Sequence, residues 1–427
     1  MTVILFVVGV LVMLIGLGLS IALHELGHIV PAKLFGVHVG QYMIGFGPRL
    51  WSKKIGETEY GFRALPLGGF ISIAGMYPPG TGKKPRLFAT LVQDAREQND
   101  ETIEAAGGRT LYSQSTWKRV VVMLGGPFMN FVLAIVAFTV LLSGIGITQA
   151  TATVASVSEC VLPAGSTQTT CAQGDTPTPA AESGLLPGDT ITAIDGVEVA
   201  NFDEASAIVR THADQTLDVE ILRDGSAQTL QITPILASNT YTDDSGELVT
   251  DEVGFVGFSP VYDRVRQPLW AGTEEAIDSV GSVANVIVHL PVKLYDIAVD
   301  LVTGADRDPD GPISVIGVGR IAGEIASTPA PILDRVAVLV NLIAALNIAL
   351  MVFNLIPLLP LDGGHVVIAL WDGIKRLFAR IAGRPEPAPA DATRLVPLTL
   401  VMVVLMVGMS ALLFAADIFN PVDLFGG

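Results

Sequence analysis

The chain has 427 residues, half of them hydrophobic and only 16% charged, with a formal net charge of −17. A soluble domain averages about 25% charged residues, which excludes a simple water-soluble globule. Twenty-five Lys and Arg against 42 Asp and Glu leave no basic footprint for nucleic acid, and two cysteines cannot staple a chain of this length. What remains is a membrane protein carrying an acidic soluble part.

A bilayer core takes about 20 mostly apolar residues per helix. Val3 to Leu23 contains no charged residue. It lacks the basic n-region and the small-residue cleavage site of a signal peptide, so it reads as a retained membrane helix within a first segment, 1–30. Residues 31–119 form a polar loop. Within it Tyr60 to Met76 partly alternates (Phe62, Ala64, then Phe70, Ile71, Ile73) and is punctuated by Pro66 and Gly68-Gly69, as a hairpin would be. Residues 77–110, with Pro78-Pro79 and mixed charges, read as a mobile loop. Lys118-Arg119 then precede a second span, 120–147.

Residues 152–235 read as a folded α+β domain. Gly184 and Pro187-Gly188 mark turns, Thr190 to Ile194 a short strand, and Asp195-Gly196 a hairpin turn. Residues 203–212 look helical, and Thr216–Arg223 and Ala227–Ile232 form a second hairpin about Asp224-Gly225. Cys160 and Cys171 lie in a Thr- and Pro-rich stretch, 159–180. An oxidising compartment permits a disulfide between them; two unpaired thiols are the alternative.

Residues 236–335 read as a linker with one amphipathic helix. Apolar residues recur at helical spacing from Val283 to Leu301, but His289, Lys293, Asp296 and Asp300 interrupt them. A charge in mid-bilayer is costly, so this helix is expected to lie on a surface rather than to cross. A third span covers 336–370, a basic loop 371–394, and a fourth span 395–415. The expected fold class is thus a polytopic α-helical membrane protein with four transmembrane helices and one inserted domain.

Loop charge sets orientation. Residues 31–119 hold 12 Lys and Arg against 7 Asp and Glu, and residues 371–394 hold five bases against three acids. Residues 146–330 hold 27 acids and 7 bases. The basic loops should therefore face the cytoplasm and the acidic domain the outside.

The first span ends in His24-Glu25-Leu26-Gly27-His28, an HExxH motif. Residues four apart share a helix face, so both imidazoles can reach one metal, and Glu25 beside them can take a proton from water. Zinc suits nitrogen and carboxylate donors with one position left open. Two histidines and a glutamate closing an uncharged span are costly unless they have a task. The third span supplies a third ligand at Asp362. It follows Pro357 and Pro360 and precedes Gly363-Gly364, so the helix must break there. With Val280–Thr303 on the surface, Asp362 falls on the same membrane side as His24 and His28.

These residues carry a resemblance. Residues 184–196 read G-L-x-x-G-D-x-I-x-x-I-D-G, which is similar to PDZ domains. HExxH in a first span, N-x-x-P-x-x-x-L-D-G from Asn354 in a later one, and a PDZ-like domain between them resemble the site-2 proteases. Gly45-Phe46-Gly47-Pro48, Leu65 to Phe70, Gly125-Gly126-Pro127 with Asn130, and Gly311 to Ser314 extend the likeness over nearly the whole chain. The order of prolines from Phe353 to His365 resembles the actinobacterial, single-PDZ type.

The resemblance implies an intramembrane zinc (Zn2+) endopeptidase in a bacterial plasma membrane. Its zinc ligands would be His24, His28 and Asp362, its acid/base Glu25, and Asn354 would hold substrate or the oxyanion. It implies an extracytoplasmic PDZ-like domain, a re-entrant hairpin at Tyr60–Met76 that pairs with substrate, and single-pass membrane proteins, namely anti-sigma factors, as substrates. An interhelical hydrogen bond is the plain alternative for Asn354, and a rigid size filter the alternative for the PDZ-like domain. The competing functional readings are a non-catalytic membrane adaptor built on that domain and, less well matched, a metal transporter.

Overall fold

The computed structural model describes residues 2–76, 100–161, 170–172, 175–242, 248–309, 311–388, 390 and 395–422; Pro78-Pro79 and most of the loop around them lie outside these. The chain divides into two compact units, Met1–Ile145 with Gln267–Gly427, and Gly146–Arg266.

In the first unit, four helices among the described residues are long and apolar enough to cross a membrane: Thr2–Leu34, Thr116–Ile145, Ile332–Asn354 and Pro397–Phe419. They are the spans expected from hydropathy. The interrupted apolar stretch resolves into two helices, Ala271–Val288 and Leu290–Thr303, parted at His289. The break falls where Pro291 must, because proline is tolerated only in a helix's first turn. Neither helix joins the four. Ile297 of the second packs with Leu413 and Ala416 of the fourth span.

Sequence reading missed a further helix, Val315–Ser327. Ser314 caps it, its Oγ accepting from the amides of Ile316 and Gly317 at 3.1 and 3.4 Å. At 13 residues it is too short to cross, and it packs along the first span. Asp417 of the fourth span accepts from the amides of Ser314 (2.7 Å) and Gly317 (3.2 Å) and pairs with buried Arg307. The first and third spans are joined in their apolar depth by Asn347, whose Nδ2 donates to Ser20 Oγ at 2.9 Å.

Between the first and second spans lie two long bent strands, β1 (Val39–Ile55) and β2 (Thr58–Ile73). They pair antiparallel in three ladders. Tyr60–Phe62 pairs both with Tyr42–Ile44 and with Trp51–Lys53, while Gly69–Ser72 runs along the other side of Gln41–Ile44. The expected hairpin thus becomes a small sheet, and Gly69–Ile73 is one of its edges.

The second unit is built on a sheet ordered β10-β3-β4-β6-β7, from Phe258–Val265, Ile147–Val157, Thr190–Ile194, Leu217–Arg223 and Ser226–Ile232. A short β5 (Val197–Glu198) pairs with β4, and β8 (Ile235–Thr242) with β9 (Leu248–Phe255). Leu217, Val219 and Ile221 alternate inward on β6 and meet Val154, Leu185, Ile191, Ile194 and Ile232 in one core. Asp195 and Asp224 sit at positive φ before Gly196 and Gly225, the geometry of tight hairpin turns. Helix Phe202–Thr211 starts with a reciprocal cap, Asn201 accepting from the Glu204 amide and Glu204 from the Ala200 amide. Cys160 and Cys171 form a disulfide. The sheet extends past residue 235, where the sequence placed the domain's end, because β10 pairs with β3 across more than a hundred residues of chain.

Asp189 is buried and takes two bonds from Arg223 (2.7 and 2.6 Å) and one from the Leu186 amide (2.7 Å). The Arg223 guanidinium, aided by that amide, holds the Asp189 carboxyl below the usual carboxylate range against the opposing pull of burial. A carboxyl with a depressed folded pKa adds stability that is full above its unfolded pKa of about 3.9 and is lost as pH falls through the folded value. Hydrogen exchange of β4 and β6, corrected for its intrinsic pH dependence, is therefore expected to accelerate as the pH drops below about 4. An Asp189→Asn variant should exchange faster at neutral pH and lose that slope.

Candidate metal centre

The two histidines of the HExxH motif lie one turn apart on the first span, both buried. Their Nε2 atoms stand 3.3 Å from each other. The third span ends at Asn354, the chain turns through Leu355–Leu361, and a new helix opens at Asp362. Asp362 Oδ2 lies 3.3 Å from His24 Nε2 and 3.3 Å from His28 Nε2. Three donor atoms from segments more than 300 residues apart thus form an equilateral triangle.

The size of that triangle fits a tetrahedral metal centre. In a tetrahedral centre the ligand-to-ligand distance is about 1.63 times the bond length, so zinc bonds of about 2.0–2.1 Å require edges of about 3.3–3.4 Å. The observed edges match. Asp362 Oδ2 is also fully buried and takes no hydrogen bond beyond its contacts with the imidazoles. A buried carboxylate oxygen left in that condition needs a cation.

The outer nitrogens of both rings are held as well. His28 Nδ1 donates to the Val122 carbonyl at 2.8 Å, which fixes the tautomer and leaves Nε2 with a free lone pair. His24 Nδ1 lies 3.2 Å from the amide of fully buried Asn130. The two ends of an amide are interchangeable by a flip. With its oxygen toward His24, Asn130 accepts from Nδ1–H, and its otherwise unpartnered Oδ1 is satisfied. Both imidazoles then present Nε2 to the centre. Val122 and Asn130 belong to the second span, as does Gly126, where a Cβ would lie 2.2 Å from His28 Nε2 and 2.7 Å from His24 Nε2. Only glycine lets that helix pass so close to the rings.

The Asp362-Gly363-Gly364 order has a similar cause. A Cβ at Gly363 would sit 2.4 Å from the Leu355 and Ile356 carbonyls, and one at Gly364 would sit 2.6 Å from the Leu359 amide. The new helix can start against the broken segment only because both side chains are missing. A carboxylate in the first turn of a helix is favoured by the helix dipole, so the break and the ligand support one another.

Of the remaining candidates, Glu25 follows His24 directly and lies within electrostatic reach of His28, His24 and Asp362. The edge strand approaches it, since a Cβ at Gly69 would lie 3.1 Å from Glu25 Cγ. Asn354 bonds within its own helix. Its Nδ2 donates to the Leu350 carbonyl one turn back, at 2.9 Å. Sequence reasoning had placed Asn130 only within a resemblance and had not foreseen its contact with His24. A buried amide in an apolar span was the available signal.

The model of peptidase family M50 matches residues 12–384. The chain belongs to peptidase family M50. This M50 peptidase is 34% identical to the zinc metalloprotease Rip1 of Mycobacterium tuberculosis, over 98% of this chain and 99% of that protein. It is 31% identical to Rip1 of Mycolicibacterium smegmatis, again over 98% and 99%. With the metalloprotease MmpA of Caulobacter vibrioides it shares 28% identity, over 86% and 88%. It is a site-2-type zinc metalloprotease, and the His24, His28 and Asp362 donors fit zinc in type, number and spacing.

Proposed function

We propose that this M50 peptidase hydrolyses a peptide bond within or near the transmembrane segment of single-pass membrane proteins, with anti-sigma factors as the substrate class. The 3.3 Å triangle of His24, His28 and Asp362 carries this reading. These three residues hold the metal. When bound, zinc supplies Lewis-acid polarisation and acidifies water. Glu25 accepts a proton from the attacking water as the new carbon–oxygen bond forms, and returns it to the departing amide nitrogen as the carbon–nitrogen bond breaks. Asn354 would serve the substrate or its oxyanion after releasing its bond to Leu350.

A helical substrate hides its carbonyls in i→i−4 bonds, so it must be extended before it can be cut. Gly69–Ile73 suits that need. Among the described residues its outer edge pairs with no strand, it approaches Glu25, and an added strand there would exchange helical bonds for ladder bonds. The charge partition of the loops supports a cytoplasmic active site and an external sheet unit.

The second unit agrees with a PDZ-like domain. Among the described residues β10 pairs with β3 alone. A groove of about 450 Å³ runs beside helix Phe202–Thr211, lined by Phe202, Val209, Arg210, Leu236, Phe255 and Phe258. Such an edge takes extended peptides.

Metal removal tests the function. The purified chain and a single-pass substrate, placed together in lipid vesicles, should give cleavage that a strong chelator abolishes and added zinc restores. Cleavage that persists after complete removal of metal would refute the proposal.

A further inference from the structure

The second span carries its buried residues in one stripe that includes Arg119, Val122, Met123, Gly126 and Asn130. Three members of the stripe already serve the histidines, Val122 and Asn130 at the outer nitrogens and Gly126 against the ring edges. Arg119, one turn nearer the helix start, has a different partner. It is 5% exposed and donates to Asp372 Oδ2 at 2.9 Å. Asp372, 1% exposed, lies on the helix Asp362–Ile381 that opens with the third metal ligand.

Asp372 is satisfied on every side. Its Oδ1 accepts from the Ala390 amide at 2.8 Å and contacts Lys375 Nζ at 2.9 Å. The helix it belongs to buries His365, Ala369 and Asp372 on one face with Gly363 and Gly364. That face meets the second span at two further points. Val366 packs against the cluster holding Val122 and Met123, and Gly373 lies so close that a Cβ would be 2.8 Å from Thr116 Cγ2. Packing contacts of this kind carry little directional preference. A buried ion pair does, because displacement of the helix would leave the Arg119 guanidinium without its buried partner.

We infer that Arg119 and Asp372 are positioning residues for the metal centre, fixing the rotation and height of the Asp362 helix against the same helical stripe that orients His24 and His28. One face of the second span then sets all three corners of the triangle, two by direct contact with a ligand and one through the ion pair. Neither residue touches the metal or the substrate. The assignment rests on the metal reading of the centre.

The test measures metal affinity of the full-length chain in detergent by chelator competition, together with the visible spectrum of the cobalt-loaded form. Arg119→Met and Asp372→Asn are expected to weaken zinc binding about tenfold or more and to alter the tetrahedral cobalt bands. Arg119→Lys, which keeps the charge and favours folding, should show a smaller loss. The reversal Arg119→Asp with Asp372→Arg should recover part of the affinity. Arg307→Met breaks another deeply buried pair, to Asp417. It should lower thermal stability while leaving zinc affinity within about twofold of the parent. Parent-like affinity and cobalt spectra in folded Arg119 and Asp372 variants would overturn the inference, as would equal losses in Arg307→Met. If the parent binds no zinc while folded, the metal reading itself fails; if it binds and His24→Ala does not, only the role of Arg119 and Asp372 is at stake.

Discussion

A Glu25→Gln variant is expected to bind zinc as the parent does and to cleave its substrate about 10²–10⁴-fold more slowly, the range for loss of a positioned acid/base group. The geometry separates these two effects. The triangle is complete without Glu25, since its corners are His24 Nε2, His28 Nε2 and Asp362 Oδ2. Glutamine keeps the shape and fills the same space against Gly69, so neither the first span nor the edge strand need move. What it loses is the capacity to accept a proton. Paired measurements of metal content and of cleavage in vesicles check the expectation. Cleavage at the parental rate would remove Glu25 from the mechanism, and loss of metal would make it part of the centre instead. A non-catalytic adaptor would show no difference between the two proteins, because neither would cleave.

Much of the candidate centre was legible in the sequence because His24, His28 and Asp362 sit where local rules are broken. His24 and His28 end a span otherwise free of charge, and Asp362 stands between two prolines and two glycines inside an apolar run. Each anomaly is visible within a dozen residues. The supporting groups were not legible in that way. Arg119 reads as an ordinary basic flank of a membrane helix, beside Lys118, and only packing shows that one of the two is buried. Val122 serves through its carbonyl, which no side-chain pattern reports. Gly126 and Asn130 were noted for a resemblance, but their contacts with imidazoles on another helix depend on a crossing angle the sequence does not encode locally.

The fold divides along the same line. Hairpins turning at Asp195-Gly196 and Asp224-Gly225 could be placed to within a residue or two, because turn chemistry and two-residue alternation are local signals. The partnership of β10 with β3 could not, since it joins Val265 to Ile147. Helix Val315–Ser327 was missed for a third reason. It is apolar yet shorter than a span, and its Gly317, Gly319 and Gly323 lower any helix propensity read from sequence. Close packing makes two of them useful, Gly323 against Phe6 of the first span and Gly317 against Asp417 of the fourth, and that benefit exists only in the folded protein.

The second large effect is expected at Asp362. Replacing it by Ala should lower zinc affinity well beyond the 10–100-fold that loss of a hydrogen-bonding partner behind a ligand costs, whereas Asn130→Leu should fall within that range. The ordering follows from what each change leaves behind. Without Asp362 the two imidazoles remain 3.3 Å apart, but the centre loses its one anionic donor in a largely buried site, where the low dielectric strengthens attraction to a cation. Without Asn130 all three donors persist. His24 loses only the acceptor that holds its Nδ1 proton, so its ring can rotate or present the wrong nitrogen. Chelator competition on the two purified variants and the parent measures the order directly. Equal losses would mean that Asn130 binds the metal or that Asp362 does not, and would redraw the triangle. The stated order would establish that the second span acts on the metal through the rings, with the carboxylate supplying the charge.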